Sequence, residues 1–281
     1  MQKVILITGA SSGIGYAAAE RLAKAGHIVY GAARRVERMD PLREAGVIPV
    51  RLDVTDPEAC KTLVQDILSR EGRIDALVNN AGYGSFGAIE NVSLDEARKQ
   101  LEVNLFALAE LSRCVLPHMR KQGSGRIVNV SSVAGRMVMA FGGWYHVSKY
   151  SVEALSDALR IESKPFGIQV SLIEPGPIRT AWGIIAADHL EDSSKGTVYA
   201  DAALGEAATL RTAYSWKVLP SPEVVGKAIV RAVTSRHPRA RYLVGFGARS
   251  IVFFHAILPT RWWDALMRSF TRIHLKKSLP K

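Results

Sequence analysis

Three residues in this 281-residue chain form a combination suited to moving a proton on and off an oxygen that alternates between carbonyl and hydroxyl. Tyr145 and Lys149 are four apart, so a helix across them puts both on one face. Ser132 falls at the end of the preceding strand-like run. A phenol with its free pKa of about 10 is a poor base at neutral pH, but a neighbouring ammonium favours the phenolate and lowers that value. Lys149 is the candidate ammonium. The phenol can then donate to a carbonyl oxygen as hydride reaches the carbon, or remove the proton in reverse, while the serine hydroxyl holds the same oxygen. Tyr-x-x-x-Lys alone is also an ordinary spacing on surface helices, so its weight depends on the surrounding chain.

The stretch Thr8-Gly9-Ala10-Ser11-Ser12-Gly13-Ile14-Gly15 follows an apolar run and leads directly into helical periodicity. Its Gly-x-x-x-Gly-x-Gly spacing differs from the commonest dinucleotide fingerprint but shares its physics: glycines let the backbone approach a pyrophosphate at a helix N-terminus. Gly9, Ser11, Ser12, Gly13, Ile14 and Gly15 are the candidate contacts, although a glycine-rich connection with no ligand looks the same. An NAD site wants an acid about 20 residues on, at the end of the second strand. Here that place holds Ala33, then Arg34 and Arg35. A guanidinium binds a 2′-phosphate that an acid would repel, so NADP(H) is the expected cofactor, against the plainer reading of two solvated charges. Asp53 can hold an adenine amino group or cap the helix starting at Pro57, for which Asp56 is better placed.

The elements that must position these groups alternate. Strand-length apolar runs cover 4–7, 28–32, 48–52, 76–78, 126–130, 169–173 and 241–244, and helical periodicity covers 14–25, 57–70, 94–121, 145–164 and 222–235. That pattern predicts an α/β fold: a doubly wound, Rossmann-type parallel sheet of about seven strands, in a single domain with a C-terminal helical extension. The polar and glycine-rich clusters Thr8-Gly9, Ala33-Arg34, Asp53, 79–82, Ser131-Ser132 and Pro175-Gly176 all follow a strand, at the sheet edge where such folds bind ligands. Residues 183–216 show weak periodicity and read as a lid or binding loop.

With Asn79-Asn80-Ala81-Gly82, Asn104 and Pro175-Gly176 in this order and spacing, the chain resembles the short-chain dehydrogenase/reductase family from residue 4 to about residue 244. The resemblance implies a catalytic tetrad of Asn104, Ser132, Tyr145 and Lys149. Ser132 is preferred to Ser131 because the family serine precedes the tyrosine by thirteen residues. Asn104 would hold a water in a proton relay reaching Lys149, or else be a buried amide satisfying helix carbonyls. Asn80, Ala81 and Gly82 would pack beside the adenosine ribose, and Tyr145 and Lys149 would also touch the cofactor. The segment 175–180, with Pro175, Gly176, Ile178 and Thr180, would meet the nicotinamide. Trp144 is a bulky neighbour for the tyrosine, and the C-terminus is longer than in compact family members.

Composition narrows the function further. With 48% hydrophobic and 22% charged residues the chain is a folded globular protein, and with Cys60 and Cys114 alone it carries no disulfide scaffold or Cys-x-x-Cys metal cluster, so a reduced, cytoplasmic protein without metal is expected. The net charge of +11 is concentrated at the end, where residues 231–281 hold eleven Lys or Arg against one acid. That distribution argues against nucleic acid, whose partners carry their basic residues across the working face. The candidate pocket walls, 83–86, 135–144 and 182–216, are mostly apolar and include Met137, Val138, Met139, Ala140, Phe141, Trp144 and Trp182. They favour a lipophilic ketone or alcohol, whether steroid, retinoid, fatty-acyl or xenobiotic, unless they face the core or a subunit interface. The alternatives are a 3-oxoacyl-thioester reductase and a catalytically idle NADP(H)-binding redox sensor. An oligomer of identical chains is expected.

The division expected is a catalytic domain over 1–247, with the lid around 183–216, and a basic amphipathic extension over 248–281. After Pro259, Trp262, Trp263, Leu266, Met267, Phe270 and Ile273 recur at helical spacing, with Arg261, Asp264, Arg268 and Arg272 opposite. Such a helix either docks on the body, or on a second subunit, or lies peripherally on an anionic membrane.

Overall fold

In the computed structural model, which describes residues 1–215 and 218–271, seven strands form one parallel sheet. They are β1 (Val4–Thr8), β2 (Ile28–Ala33), β3 (Val47–Arg51), β4 (Ala76–Asn79), β5 (Gly125–Val130), β6 (Ile168–Pro175) and β7 (Arg241–Val244), in the order β3-β2-β1-β4-β5-β6-β7. The order reverses between β1 and β4, and the crevice outside their carboxyl ends is the natural ligand site of an open α/β sheet.

Alternation along β1 shows why both faces are covered. Ile5 and Ile7 enter a core with α1 (Gly13–Lys24) and α9 (Pro222–Thr234), while Val4 and Leu6 enter the opposite core with α3 (Pro57–Glu71) and α5 (Ala107–Gln122). Asp56 caps α3 by accepting from the Ala59 N–H at 3.0 Å, as its position in the sequence suggests. A short 3-10 turn and α2 (Asp40–Arg43) fill the connection between β2 and β3.

The structure differs from the sequence reading in three places. The helix expected over 94–121 is α4 (Leu94–Leu101) and α5 joined by a π-helical turn, Glu102–Phe106, whose extra residue per turn brings Asn104 into the interior. The helix carrying Tyr145, α6 (Gly143–Ser163), starts two residues early, so the tyrosine sits in its first turn. The weakly periodic stretch read as a lid holds a pair of packed helices, α7 (Trp182–Ser194) and α8 (Ala200–Ser215). Their shared interface is built on Ala186, Ala187, Ala203 and Ala207, and alanine gives little hydrophobic contrast against a polar face, which is why the periodicity was faint. Trp216, the end of the expected lid, lies outside the described residues. The chain closes with α10 (Ala248–Ile257) and α11 (Thr260–Thr271), a helical C-terminal region on the single domain. No described helix is long and apolar enough to cross a membrane.

Candidate active site

The carboxyl edge of the sheet is laced together at Thr8. Its Oγ1 accepts from the N–H groups of Asn80 and Ala81, both at 3.0 Å, and the Asn80 amide donates to the carbonyls of Thr8 at 3.0 Å and Gly9 at 3.3 Å. These bonds wind the glycine turn against the 79–82 turn. A Cβ at Gly9, where φ is +67°, would stand 2.8 Å from the Asn80 amide nitrogen, and one at Gly15 would run into the same nitrogen and the Gly9 carbonyl. Gly9 and Gly15 are therefore needed for internal packing. A Cβ at Gly13, where φ is +58°, would stand 3.4 Å from the Thr180 methyl group, so the 175–180 segment lies over the turn. Ser12 is extended and exposed and makes no side-chain cap, while Ser11 and Ile14 are half-buried beside it, leaving the start of α1 open to an anion. A turn stripped of Cβ atoms at a helix N-terminus fits a pyrophosphate.

Arg34 is exposed beyond β2, with its carbonyl held by Arg51 at 3.0 Å, and its charge reaches Asp53 and Tyr83. Asp53 folds back on Thr55, accepting from its N–H at 3.1 Å and its hydroxyl at 2.8 Å, and caps no helix. On the far side, Gly176 donates to the Val244 carbonyl at 2.8 Å, Thr180 Oγ1 accepts from the Trp182 N–H at 3.3 Å, and Ile178 is buried in the α1–α9 core.

The expected tetrad converges. Ser132 accepts from the Ala134 N–H at 3.1 Å, donates to the Pro175 carbonyl at 3.3 Å and stands beside the Tyr145 phenol. Lys149 Nζ donates to the Val130 carbonyl at 3.0 Å and lies 5.8 Å from the Tyr145 ring centroid. Asn104 is fully engaged as an amide: Oδ1 accepts from the Tyr83 N–H at 3.0 Å, while Nδ2 donates to the Tyr83 carbonyl at 2.9 Å and to Ser148 Oγ at 3.1 Å. Gly82 lies between Asn104 and Lys149, where a Cβ would meet Asn104 Oδ1 at 3.0 Å and Lys149 Nζ at 3.8 Å.

The electrostatics run against the sequence expectation. Burial pushes the Tyr145 phenol up to about 12, with the neighbouring Ser132 hydroxyl working the other way, and pushes the Lys149 ammonium down to about 8 against the pull of Glu153. Among the chain's own groups desolvation outweighs charge pairing, so the phenol is held in its protonated form.

The substrate side is aromatic. Trp182 stacks over Tyr145 with ring centroids 5.0 Å apart, Phe86 meets both rings at 5.9 Å and 5.6 Å, and Tyr214 from α8 closes the far side at 5.8 Å from Trp182. Gly84 and Gly183 leave the room that Trp182 and Tyr214 fill. Phe141 is buried in the same cluster as Ala140 and holds a left-handed φ of +63°, a strained conformation of the kind that collects at working sites. Met137 belongs to a different cluster, Val138 is exposed, and Trp144 is half-buried with its indole N–H unpartnered. The sequence reading placed Thr8 at the head of the glycine turn without a bonding role, and it did not single out Tyr214.

The sequence model of the short chain dehydrogenase family matches residues 3–188. The chain belongs to that family of oxidoreductases. It is 39% identical over 263 residues to a probable short-chain type dehydrogenase/reductase, VdlC, of Helicobacter pylori, covering 94% of this chain and 96% of that one. It is 36% identical over 252 residues to the 3-ketodihydrosphingosine reductase of Bacteroides thetaiotaomicron, covering 86% and 88%. Among solved structures, a short-chain dehydrogenase from Streptomyces avermitilis superposes with a TM-score of 0.79 at 34% identity, over 97% of this chain and 98% of that one. Related structures hold either dinucleotide: a metagenomic short-chain oxidoreductase carries NADP (TM-score 0.68, 27% identity, 86% and 96% covered) and a Burkholderia phymatum enzyme carries NAD (TM-score 0.78, 27% identity, 100% and 98% covered).

In this short-chain dehydrogenase the C-terminal helices dock beside the site. Trp263 and Met267 of α11, with Ala248, Ile251 and Val252 of α10, pack against Val133 and Met137, and the Trp263 indole donates to the Val138 carbonyl at 3.1 Å. The apolar stripe of α11 is thus split: Trp263 and Met267 turn inward, while Trp262, Leu266 and Phe270 stay exposed beside Arg261, Asp264 and Arg268. α10 likewise leaves Phe253, Phe254 and Ile257 outside. Arg272 and Ile273 lie outside the described residues.

Proposed function

We propose that the protein is an NADPH-dependent reductase of lipophilic ketones, with the reverse oxidation of the secondary alcohol open to the same site. The observation that carries this reading is the Tyr145 phenol, buried beneath an aromatic cover with Ser132 beside it and Lys149 one helical turn away. When bound, the nicotinamide supplies the hydride to the carbonyl carbon or accepts it in reverse. Tyr145 delivers the proton to the carbonyl oxygen, and Ser132 holds that oxygen in line. Lys149 lies behind the phenol and restores its proton, and Asn104 fixes the turn that places Lys149. The glycine turn from Gly9 to Gly15, Asn80 to Gly82 and the 175–180 segment would hold the dinucleotide, and Arg34 its 2′-phosphate.

The rings of Phe86, Trp182 and Tyr214 admit apolar substrate in preference to sugar or charged acid. The names of relatives are consistent with this, since one is a 3-ketodihydrosphingosine reductase and another, from rat, a retinol dehydrogenase. The reading includes the layout of a catalytic domain over 1–247 and an extension over 248–281 that rests on an anionic membrane. Docked α10 and α11 still expose more than half of Phe253 and Trp262. Together with the basic end of the chain, that is the composition of an interfacial helix.

Oxidation of NADPH with a panel of hydrophobic ketones and an acetoacetyl thioester tests the activity. Turnover of the ketones is expected; turnover of the thioester alone makes the protein a 3-oxoacyl-thioester reductase, and tight NADPH binding without turnover makes it a redox sensor. Co-sedimentation with phosphatidylserine vesicles tests the extension. Binding should weaken with salt and be lost on truncation after Leu258, and gel filtration of both forms shows whether a second copy of the chain covers those helices instead.

A further inference from the structure

Behind Lys149 the protein buries two carboxylates with too few donors. Glu153 follows Lys149 by one turn of α6 and is 6% exposed, and Glu174 on β6 is 0% exposed. One guanidinium serves both: Arg241 on β7 places Nε 3.2 Å from Glu153 Oε2 and 3.0 Å from Glu174 Oε1, while its Nη2 is taken by Asp157 at 2.6 Å. Arg136, after β5, reaches the same Glu174 oxygen at 3.4 Å, and Arg160 pairs with Asp157 further along α6. The second oxygen of each carboxylate, Glu153 Oε1 and Glu174 Oε2, is buried with no hydrogen-bond partner. Ser131 is the remaining donor beside Glu153, but its hydroxyl completes no bond of ordinary geometry. Two neighbouring carboxylates that share one N–H and orphan two oxygens cannot both be ionised at low cost. A proton held between them satisfies the orphans and removes the like-charge repulsion.

We propose that Glu153 and Glu174 share one proton and act as the positioning pair that sets the charge on Lys149, Glu153 by its place one turn along the helix and Glu174 by competing for the proton. The inference rests on Lys149 serving the proton chemistry proposed above. The packing ties Glu153 to the site: a Cβ at Gly135 would lie 2.9 Å from Glu153 Cγ, the Lys149 carbonyl oxygen and Ser131 Oγ alike, so the turn that begins at Ser132 closes directly on Glu153 and the Lys149 backbone. Burial raises Glu153 to about 7, with Glu174 adding to the rise, and the Glu153 charge supports the Lys149 ammonium against its own desolvation.

The pair makes opposite predictions for its two members. In Glu153→Gln the remaining negative charge moves away to Glu174, so Lys149 titrates at lower pH. In Glu174→Gln the charge is left whole on Glu153, so Lys149 titrates at higher pH. Heteronuclear NMR titration of the Lys149 side chain, assigned by its absence in Lys149→Met, reads this without substrate, and shifts of several tenths to about one pH unit are expected. The same opposed displacement should appear in the pH profile of kcat/KM, with Glu153→Asp close to wild type. Shifts in the same direction, or none in either folded variant, would reduce the pair to a structural role. If Glu153→Gln fails to fold, Glu174→Gln decides alone by the sign of its shift. Absence of ketone turnover in the wild type would overturn the functional reading while leaving the NMR result to judge the pair.

Discussion

The cofactor side and the substrate side of Tyr145 are held by different forces. On the first, Thr8 and Asn80 each bind the other's backbone through their side chains across 72 residues of sequence, and positive-φ glycines fix the path of the turn. On the second, Phe86 meets Trp182 edge to face, Tyr214 meets it at a tilt, and α7 and α8 pack through alanines. Hydrogen-bonded backbone has a fixed shape, whereas apolar side chains repack when volume is conserved. The first side therefore defines a site for one kind of cofactor, and the second can be retuned for different substrates.

Tyr145 sits where the two sides meet, so removing its hydroxyl should give the largest effect and spare both. Tyr145→Phe should lower kcat by 10²–10⁴-fold, about 3–5 kcal/mol of barrier, with NADPH affinity little changed. A variant keeping more than about a tenth of wild-type kcat with chemistry rate-limiting removes Tyr145 from the mechanism. Lys149 belongs to the rigid side and costs it stability. Its ammonium titrates near 8 in the fold and at 10.5 when exposed, so the unfolded chain binds more protons between those values and stability rises with pH across that window. Lys149→Met should abolish turnover yet stabilise the fold at neutral pH by on the order of 3 kcal/mol, a gain that fades as the pH climbs above 8. Denaturant titration at several pH values checks the sign.

The substrate side should answer differently. Trp182→Ala should cut kcat/KM for a lipophilic ketone by roughly 10–100-fold through lost apolar contact, while NADPH affinity stays within about twofold. Equal losses in both would mean that the aromatic cover also builds the cofactor site. The smallest expected change is in cofactor choice: Ala33→Asp with Arg34→Ser should move preference toward NADH by roughly tenfold, the worth of one exposed charge-assisted contact. Wild-type protein that binds NADH as tightly as NADPH would show Arg34 to be a solvated charge.

The same contrast explains what the sequence made legible. Strand-length apolar runs and glycine spacing are local signals, so the seven strands, the glycine turn and the Tyr145–Lys149 face could all be read in advance. The π turn at Asn104 could not, because it depends on the backbone of Tyr83 accepting and donating to the amide from outside the helix. Nor could Tyr214, which is seated beside Trp182 by the room left at Gly183, or the link from Arg241 to Glu153 across 88 residues. One signal was available: Glu153 stands four residues beyond Lys149 on a face already marked as chemical.

Turnover along a series of methyl ketones of increasing chain length, with NADPH and NADH in parallel, tests the division of labour most directly. The account predicts that kcat/KM rises with each added methylene until the aromatic cover is filled, by up to about fourfold per group, since burying a CH₂ is worth about 0.8 kcal/mol. It also predicts the same slope with either cofactor, the NADPH line lying above. A flat series, or a slope that changes with the cofactor, would contradict it.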